Sequence, residues 1–372
     1  MSSYQERLQG VIAAEVEPNA LQVDVEGRFP RANIDALKQA GLLGLVSAEA
    51  VGGEGQGPSA AVAVVGELAR HCSSTAMIVC MHYAATAVLE QLGSEQVRRA
   101  IAANEHLSTL AFSERASRSH FWAPLSTATA DGEMAVLDAS KSWVTGAGEA
   151  DSYVWSSQPL NADGVSTLWF VPSDTPGLKI DAPFDGLGLR GNGSSPISAA
   201  GVQIPISNVL GADGGGFDLM IGTVLPWFNL MNAAMSVGLM DAAITRSAAH
   251  LTTTRLEHLD ETLADNPVNR LHLARSRVRA DQSSALLDQA VVAVETAADD
   301  AMLRVLESKV SAGDAAIEVT DACMRVCGGS AFRKEVGVER LFRDARAAAV
   351  MAPTSDTLYD FIGKAICDIP LF

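Results

Sequence analysis

Residues 325–354 read RVCGGSAFRKEVGVERLFRDARAAAVMAPT, and the stretch divides into a turn, a helix and a stop. Gly328-Gly329 is a paired-glycine turn, residues 338–351 carry a charged helix start with helical periodicity, and Pro353 ends the run. The same period extends outward on both sides, over 217–254, 267–299, 301–326 and 354–367, with short connectors that predict an up-and-down bundle. Asn266-Pro267 is a helix start with proline in the first helical position. Upstream, from Leu107 to about Gly216, the period falls to two, and Asp-Gly, Pro-Gly and Asn-Gly pairs punctuate the alternation. This predicts a small antiparallel β domain with a tight hairpin at Asp131-Gly132. The first hundred residues return to helical spacing, with a glycine-rich loop at 47–59. The fold class expected is therefore α+β in three units, 1–106, 107–216 and 217–372.

Composition narrows the function. The chain has 372 residues and a net charge of -17, which argues against nucleic acid and against an anionic membrane surface. Its most apolar later stretch, 225–244, is interrupted by Asn229, Asn232 and Asp241, so no membrane span is expected. The N-terminus lacks a basic region followed by an apolar run, and the odd set of five scattered cysteines suits the reducing cytoplasm. Cys323 and Cys327 lack a second ligand pair and are expected in the core, so no metal site is predicted.

Four short motifs carry the chemistry. Ala111-Phe112-Ser113-Glu114 with Ser119 offers backbone N–H groups and hydroxyls at a strand end; Lys141-Ser142-Trp143-Val144-Thr145-Gly146 offers an aromatic plate beside a hydroxyl. Thr254-Arg255-Leu256-Glu257-His258 presents a guanidinium suited to a pyrophosphate, and Gly328-Gly329-Ser330-Ala331-Phe332 permits close backbone approach. In this order the motifs resemble those of the acyl-CoA dehydrogenase superfamily, over nearly the whole chain. The resemblance implies an N-terminal helical domain, a middle antiparallel β-barrel and a C-terminal four-helix bundle. It implies FAD, held by Phe112, Ser113, Ser119, Trp143, Thr145, Arg255, His258, Arg325, Gly328, Gly329 and Thr354, and a homotetramer or homodimer sharing that site.

The departures are as informative. Where the family has Gly and Ala residues before Ser119, this chain has Arg115, Ala116, Ser117 and Arg118, followed by His120, Phe121 and Trp122. The tenth residue counted on from Arg343 is normally the catalytic glutamate, and here it is Ala352; the alternative site used by some relatives reads Pro226-Trp227-Phe228. Abstraction of an α-proton needs a titratable group in reach, and neither position supplies one. The first expectation is therefore flavin-dependent oxygenation, as in the monooxygenase branch of the superfamily. It would use FAD or FMN, a separate flavin reductase, and a pocket walled by Trp122, Trp227, Phe228 and Ala352 for a small or carrier-bound acyl or aromatic substrate. The second is acyl-thioester dehydrogenation coupled to an electron-transfer flavoprotein, with His82, His120 or Glu114 as base. A non-catalytic flavin-binding or fold-only subunit is the third.

Overall fold

A computed structural model describes residues 3–117 and 120–371. Six helices come first: α1 (Tyr4–Val11), α2 (Glu17–Glu26), α3 (Arg31–Gln39), α4 (Pro58–His71), α5 (Ser73–Leu92) and α6 (Glu95–Ala102). Strands β1 (Ser108–Ala111), β2 (Thr127–Asp131), β3 (Met134–Val144), β4 (Ser152–Ser157), β5 (Thr167–Pro172), β6 (Lys179–Ile180), β7 (Ser195–Pro205) and β8 (Val209–Leu210) follow. The chain then turns through α7 (Gly216–Leu219) into the long helix α8 (Leu225–Thr253) and a two-stranded ribbon, β9 (Arg255–Leu256) and β10 (Glu261–Thr262). Helices α9 (Pro267–Glu295), α10 (Ala301–Cys327), α11 (Val338–Asp344), α12 (Arg346–Val350) and α13 (Ser355–Ile366) complete it.

The middle segment differs from the antiparallel barrel expected above. Its strands form two four-stranded sheets, β1-β4-β5-β8 and β2-β3-β7-β6, and among the described residues no strand pairing closes them into a barrel. The β1–β4 pair is parallel, because β1 enters from the N-terminal helices and lies beside β4 rather than folding back from it. The hairpin at Asp131-Gly132 forms as expected, pairing Asp131 with Met134 around Gly132 at φ +60. The helix predicted over 338–351 is divided at Ala345, where buried Asp344 accepts a 2.7 Å hydrogen bond from the Leu189 N–H.

Helix α5 is buried on nearly all sides, which its alanine-rich and weakly amphipathic sequence requires. It packs between the sheets and α8, while α4 crosses α8 closely. A Cβ at Gly238 of α8 would lie 2.2 Å from the Gly66 carbonyl oxygen of α4, so only glycine allows this approach. Asn266 caps α9 by accepting from the Val268 N–H at 2.9 Å, with Pro267 next. Arg343 ties the units together. It donates to both carboxylate oxygens of Asp24 on α2 at 2.8 and 2.6 Å, and to Glu339 one turn back at 2.7 Å. Cys323 and Cys327 are buried, as expected, and among the described residues no helix is long and apolar enough to cross a membrane.

Candidate active site

Strict alternation along β3 would put Lys141 and Trp143 on the same face. A bulge between Lys141 and Val144 breaks the register, and Trp143 takes φ +56. Lys141 consequently points into the sheet core, 1% exposed, while Trp143 is 58% exposed. One face of the Trp143 indole stacks on Phe184, centroids 4.1 Å apart, a partner with no motif to mark it in the sequence. Thr145 is buried with its hydroxyl 3.4 Å from that of Ser194. Ser142 N–H donates to the Ser113 carbonyl at 2.9 Å, so the first two motifs are neighbours.

From there a run of rings leads to the closing segment. Phe112 stacks on Phe121 at 6.5 Å, Phe121 meets Trp122 edge-on at 5.2 Å, and Trp122 reaches Phe361 of α13 at 5.7 Å. Thr354 caps α13. Trp122, Trp227, Phe228, Met351 and Ala352 are all partly buried against the main core; Trp122 reaches α13 through Phe361, and Phe228 lies beside the ammonium that bonds the Met351 carbonyl. Arg255, His258, Arg325, Gly328 and Gly329 are elsewhere, exposed at the other end of α8. Cys327 and Ser247, 3.5 Å apart, fix that end to the end of α10. Phe228 and Arg255 are separated by about 40 Å at the α-helical rise. Ser119 lies outside the described residues.

The three candidate bases differ in their surroundings. His82 is wholly buried: Nδ1 accepts from the Ser108 N–H at 3.1 Å, and Nε2 lies 3.1 Å from the Leu43 carbonyl, which makes it the protonated nitrogen. Burial pushes its pKa down to about 4, so it stays neutral. Glu114 accepts from Lys141 at 2.6 Å, from the Ser126 hydroxyl, and from the N–H groups of Leu125 and Ser126. Burial pushes its carboxyl up, but the Lys141 charge and these bonds outweigh it and hold the pKa below the ordinary range. Both groups are committed to structure. His120 is exposed and meets Trp122 edge-on at 5.4 Å.

One charged residue in this region carried no signal in the sequence. Lys309 of α10 is 1% exposed. Its ammonium donates to the carbonyls of Met351 and Pro353 at 2.9 and 2.6 Å and lies 5.8 Å from the Phe228 ring centre. Burial pushes its pKa down to about 7, opposed by the nearby Cys80. The methyl-bearing position 352 thus sits between two carbonyls that a buried cation holds.

The residues present fit a flavin. Trp143 offers an accessible plate already backed on one side, and a Cβ at Gly328 or Gly329 would meet nothing within 4 Å, leaving the backbone open to a ligand. Gly328, at φ +57 and ψ -141, occupies a region that glycine alone adopts easily. Replacing Trp143 with alanine is expected to weaken FAD binding about 10- to 100-fold, or about 1.4–2.8 kcal/mol, with little change in the stability of the flavin-free protein. Fluorescence titration of the apoprotein with FAD, alongside its thermal melt, checks this.

Helices, two sheets and a helical bundle in this order, with an aromatic plate on the middle unit and a glycine turn at the bundle end, define a class of three-domain flavoproteins. Family models agree: acyl-CoA dehydrogenase N-terminal domain over residues 2–103, middle domain over 109–202 and C-terminal domain over 214–367. The chain is 30% identical over 358 residues to the mitochondrial short-chain specific acyl-CoA dehydrogenase of Bos taurus, covering 92% of this chain and 84% of that protein. Among solved structures it resembles butyryl-CoA dehydrogenase of Megasphaera elsdenii, with a TM-score of 0.91, 20% identity and 99% of each chain covered. It also resembles FkbI, for biosynthesis of the methoxymalonyl extender unit of a polyketide immunosuppressant, with a TM-score of 0.87, 24% identity and coverage of 98% of this chain and 100% of that one. The chain belongs to the acyl-CoA dehydrogenase superfamily, whose cofactor is FAD.

Proposed function

We propose that this protein uses FAD to oxidise an acyl group held as a thioester, and that it does so without a carboxylate at position 352. The closing segment carries the reading: Ala352 presents a methyl group where the family's base stands, flanked by the carbonyls that Lys309 holds. Asp314, the acid that faces α13, is already bonded to Ser355 and Tyr359. Bound FAD supplies the two-electron acceptor. Trp143 orients it, Trp122, Trp227 and Phe228 exclude water from the acyl end, and His120 is assigned the substrate proton, since His82 and Glu114 are committed elsewhere. CoA and a carrier protein suit the reading equally, because both end in a pantetheine thioester. Arg255, His258, Arg325, Gly328 and Gly329, at the far end of α8, are assigned to FAD shared with a second copy in a homodimer or homotetramer. We assign the protein to the cytoplasm, with an electron-transfer flavoprotein as its electron acceptor.

Oxygenation, the first expectation from the sequence, becomes the second reading, because curated relatives matching over more than nine-tenths of this chain are named acyl-CoA dehydrogenases. The aromatic wall and the empty base position favour it; FAD or FMN reduced by a separate reductase would serve it. Anaerobic mixing of the FAD-loaded protein with a panel of acyl-CoAs separates the two. Bleaching of the flavin is expected, slowed about 100-fold or more in His120→Asn without loss of FAD. No bleaching, together with an oxygenated product formed only when reduced flavin and oxygen are supplied, would replace this reading with the second.

A further inference from the structure

Helix α8 brings polar groups to the pocket region without partners. Asn232 lies three positions from Asn229 and four from Phe228, so it neighbours both on the helix surface. Asn229 is 0% exposed, yet neither its amide oxygen nor its amide nitrogen has a hydrogen-bond partner. Asn232 is equally buried; its oxygen is unpartnered, and its nitrogen meets only the Met351 sulfur, a weak acceptor, at 3.4 Å. That contact turns Asn232 toward the closing segment, with Asn229 one turn back. Lys309 approaches the same segment from α10, with two N–H groups on carbonyls, a third left over, and no carboxylate within ion-pair distance among the described residues. Buried amides are almost always bonded. Three unsatisfied amide atoms beside an uncompensated cation therefore mark a place where a ligand brings oxygen acceptors and donors. An alkyl chain would leave every one of them unpaired.

We propose that the buried polar groups beside Ala352 select a short acyl group bearing a hydroxyl or carboxylate oxygen, bound by Asn229 and Asn232 and balanced by Lys309. This rests on the acyl-thioester reading above and assigns its substrate class. A polar site discriminates against an analogue lacking the hydrogen-bonding group more sharply than an apolar site discriminates between hydrocarbons, because the mismatch strands buried polar atoms. Carboxylate-bearing thioesters should depend on Lys309 as well as on the amides, and hydroxyl-bearing ones on the amides alone.

Calorimetric titration with butyryl-, 3-hydroxybutyryl- and succinyl-pantetheine tests this, since it reads binding whether or not the flavin is reduced. At least one oxygen-bearing thioester is expected to bind tenfold or more tightly than butyryl. Asn229→Leu should bring the three within about threefold of one another and raise the melting temperature of the ligand-free protein, since an unsatisfied amide has been replaced by a matched apolar group. Lys309→Met should weaken the succinyl ligand selectively. Equal or tighter binding of butyryl by the unaltered protein overturns the proposal whatever the variants do. An Asn229→Leu protein that keeps the preference overturns it as well, and assigns the amides to buried water. Bleaching by butyryl-CoA with butyryl preferred would sink this inference and leave the oxidation reading standing; tight polar binding with no bleaching would do the reverse.

Discussion

Replacement of Lys141 by methionine is expected to destabilise the protein by about 3–5 kcal/mol, among the largest effects any single substitution here should produce. The ammonium and the Glu114 carboxylate meet at 2.6 Å with side chains 0% and 2% exposed, and Lys141 also donates to the Ser156 carbonyl and hydroxyl at 2.7 and 3.0 Å. The Trp155 ring lies 5.1 Å from the same ammonium. Removing the cation leaves a carboxylate in the sheet core with only three neutral donors. The pH dependence gives a second signature. Because the native Glu114 pKa is lowered, its contribution is present above the ordinary carboxylate pKa and is lost as pH falls through the lowered value. In the variant, burial is unopposed and the carboxyl takes up its proton more readily. The stability gap between the two proteins should therefore be wide at neutral pH and narrow on acidification into the carboxylate range. Urea melts at several pH values measure it; a constant gap would show that the pair is not ionised in the native protein.

Arg343→Met is expected to cost about 3 kcal/mol and to weaken the coupling between the N-terminal and C-terminal units. Arg343 is 16% exposed and Asp24 only 6%, and their bidentate contact leaves Asp24 without a counter-charge when the guanidinium is removed. Although burial opposes the charge, the bonds to Asp24 and Glu339 raise the arginine's pKa above its already high ordinary value, so the cation persists at every pH of interest. Asp344, next in the chain, faces the middle unit: burial raises its pKa to about 6, opposed by the bond from the Leu189 N–H and the nearby arginines. Adjacent residues of one short helix thus hold both other units. A single cooperative thermal transition should give way to a broadened or split one in Arg343→Met, read by calorimetry. Retention of one sharp transition at unchanged temperature would mean that the remaining interface suffices.

The paired residues in these two cases were visible in the sequence as members of motifs, but their partners were not. Arg343 lies in the charged helix start, and its contact with Glu339 stays within that helix. The stronger partner, Asp24, lies 319 positions away. Glu114 read as a candidate base because nothing local marks a carboxylate as already paired. Trp143 was legible as an aromatic plate, whereas Phe184, which backs it, lies in an irregular loop with no periodicity.

Element type, the order of helical and sheet segments and the superfamily were all determined by the sequence, because period, turn chemistry and motif spacing are properties of short stretches. Tertiary structure alone decided how the strands divide into two sheets, which side chain a bulge in β3 turns outward, and that Lys309 braces the segment around Ala352. Those outcomes depend on burial and on contacts between residues far apart in the chain. A lone lysine in an alanine-rich helix looks the same whether its ammonium meets water or two carbonyls more than forty residues away.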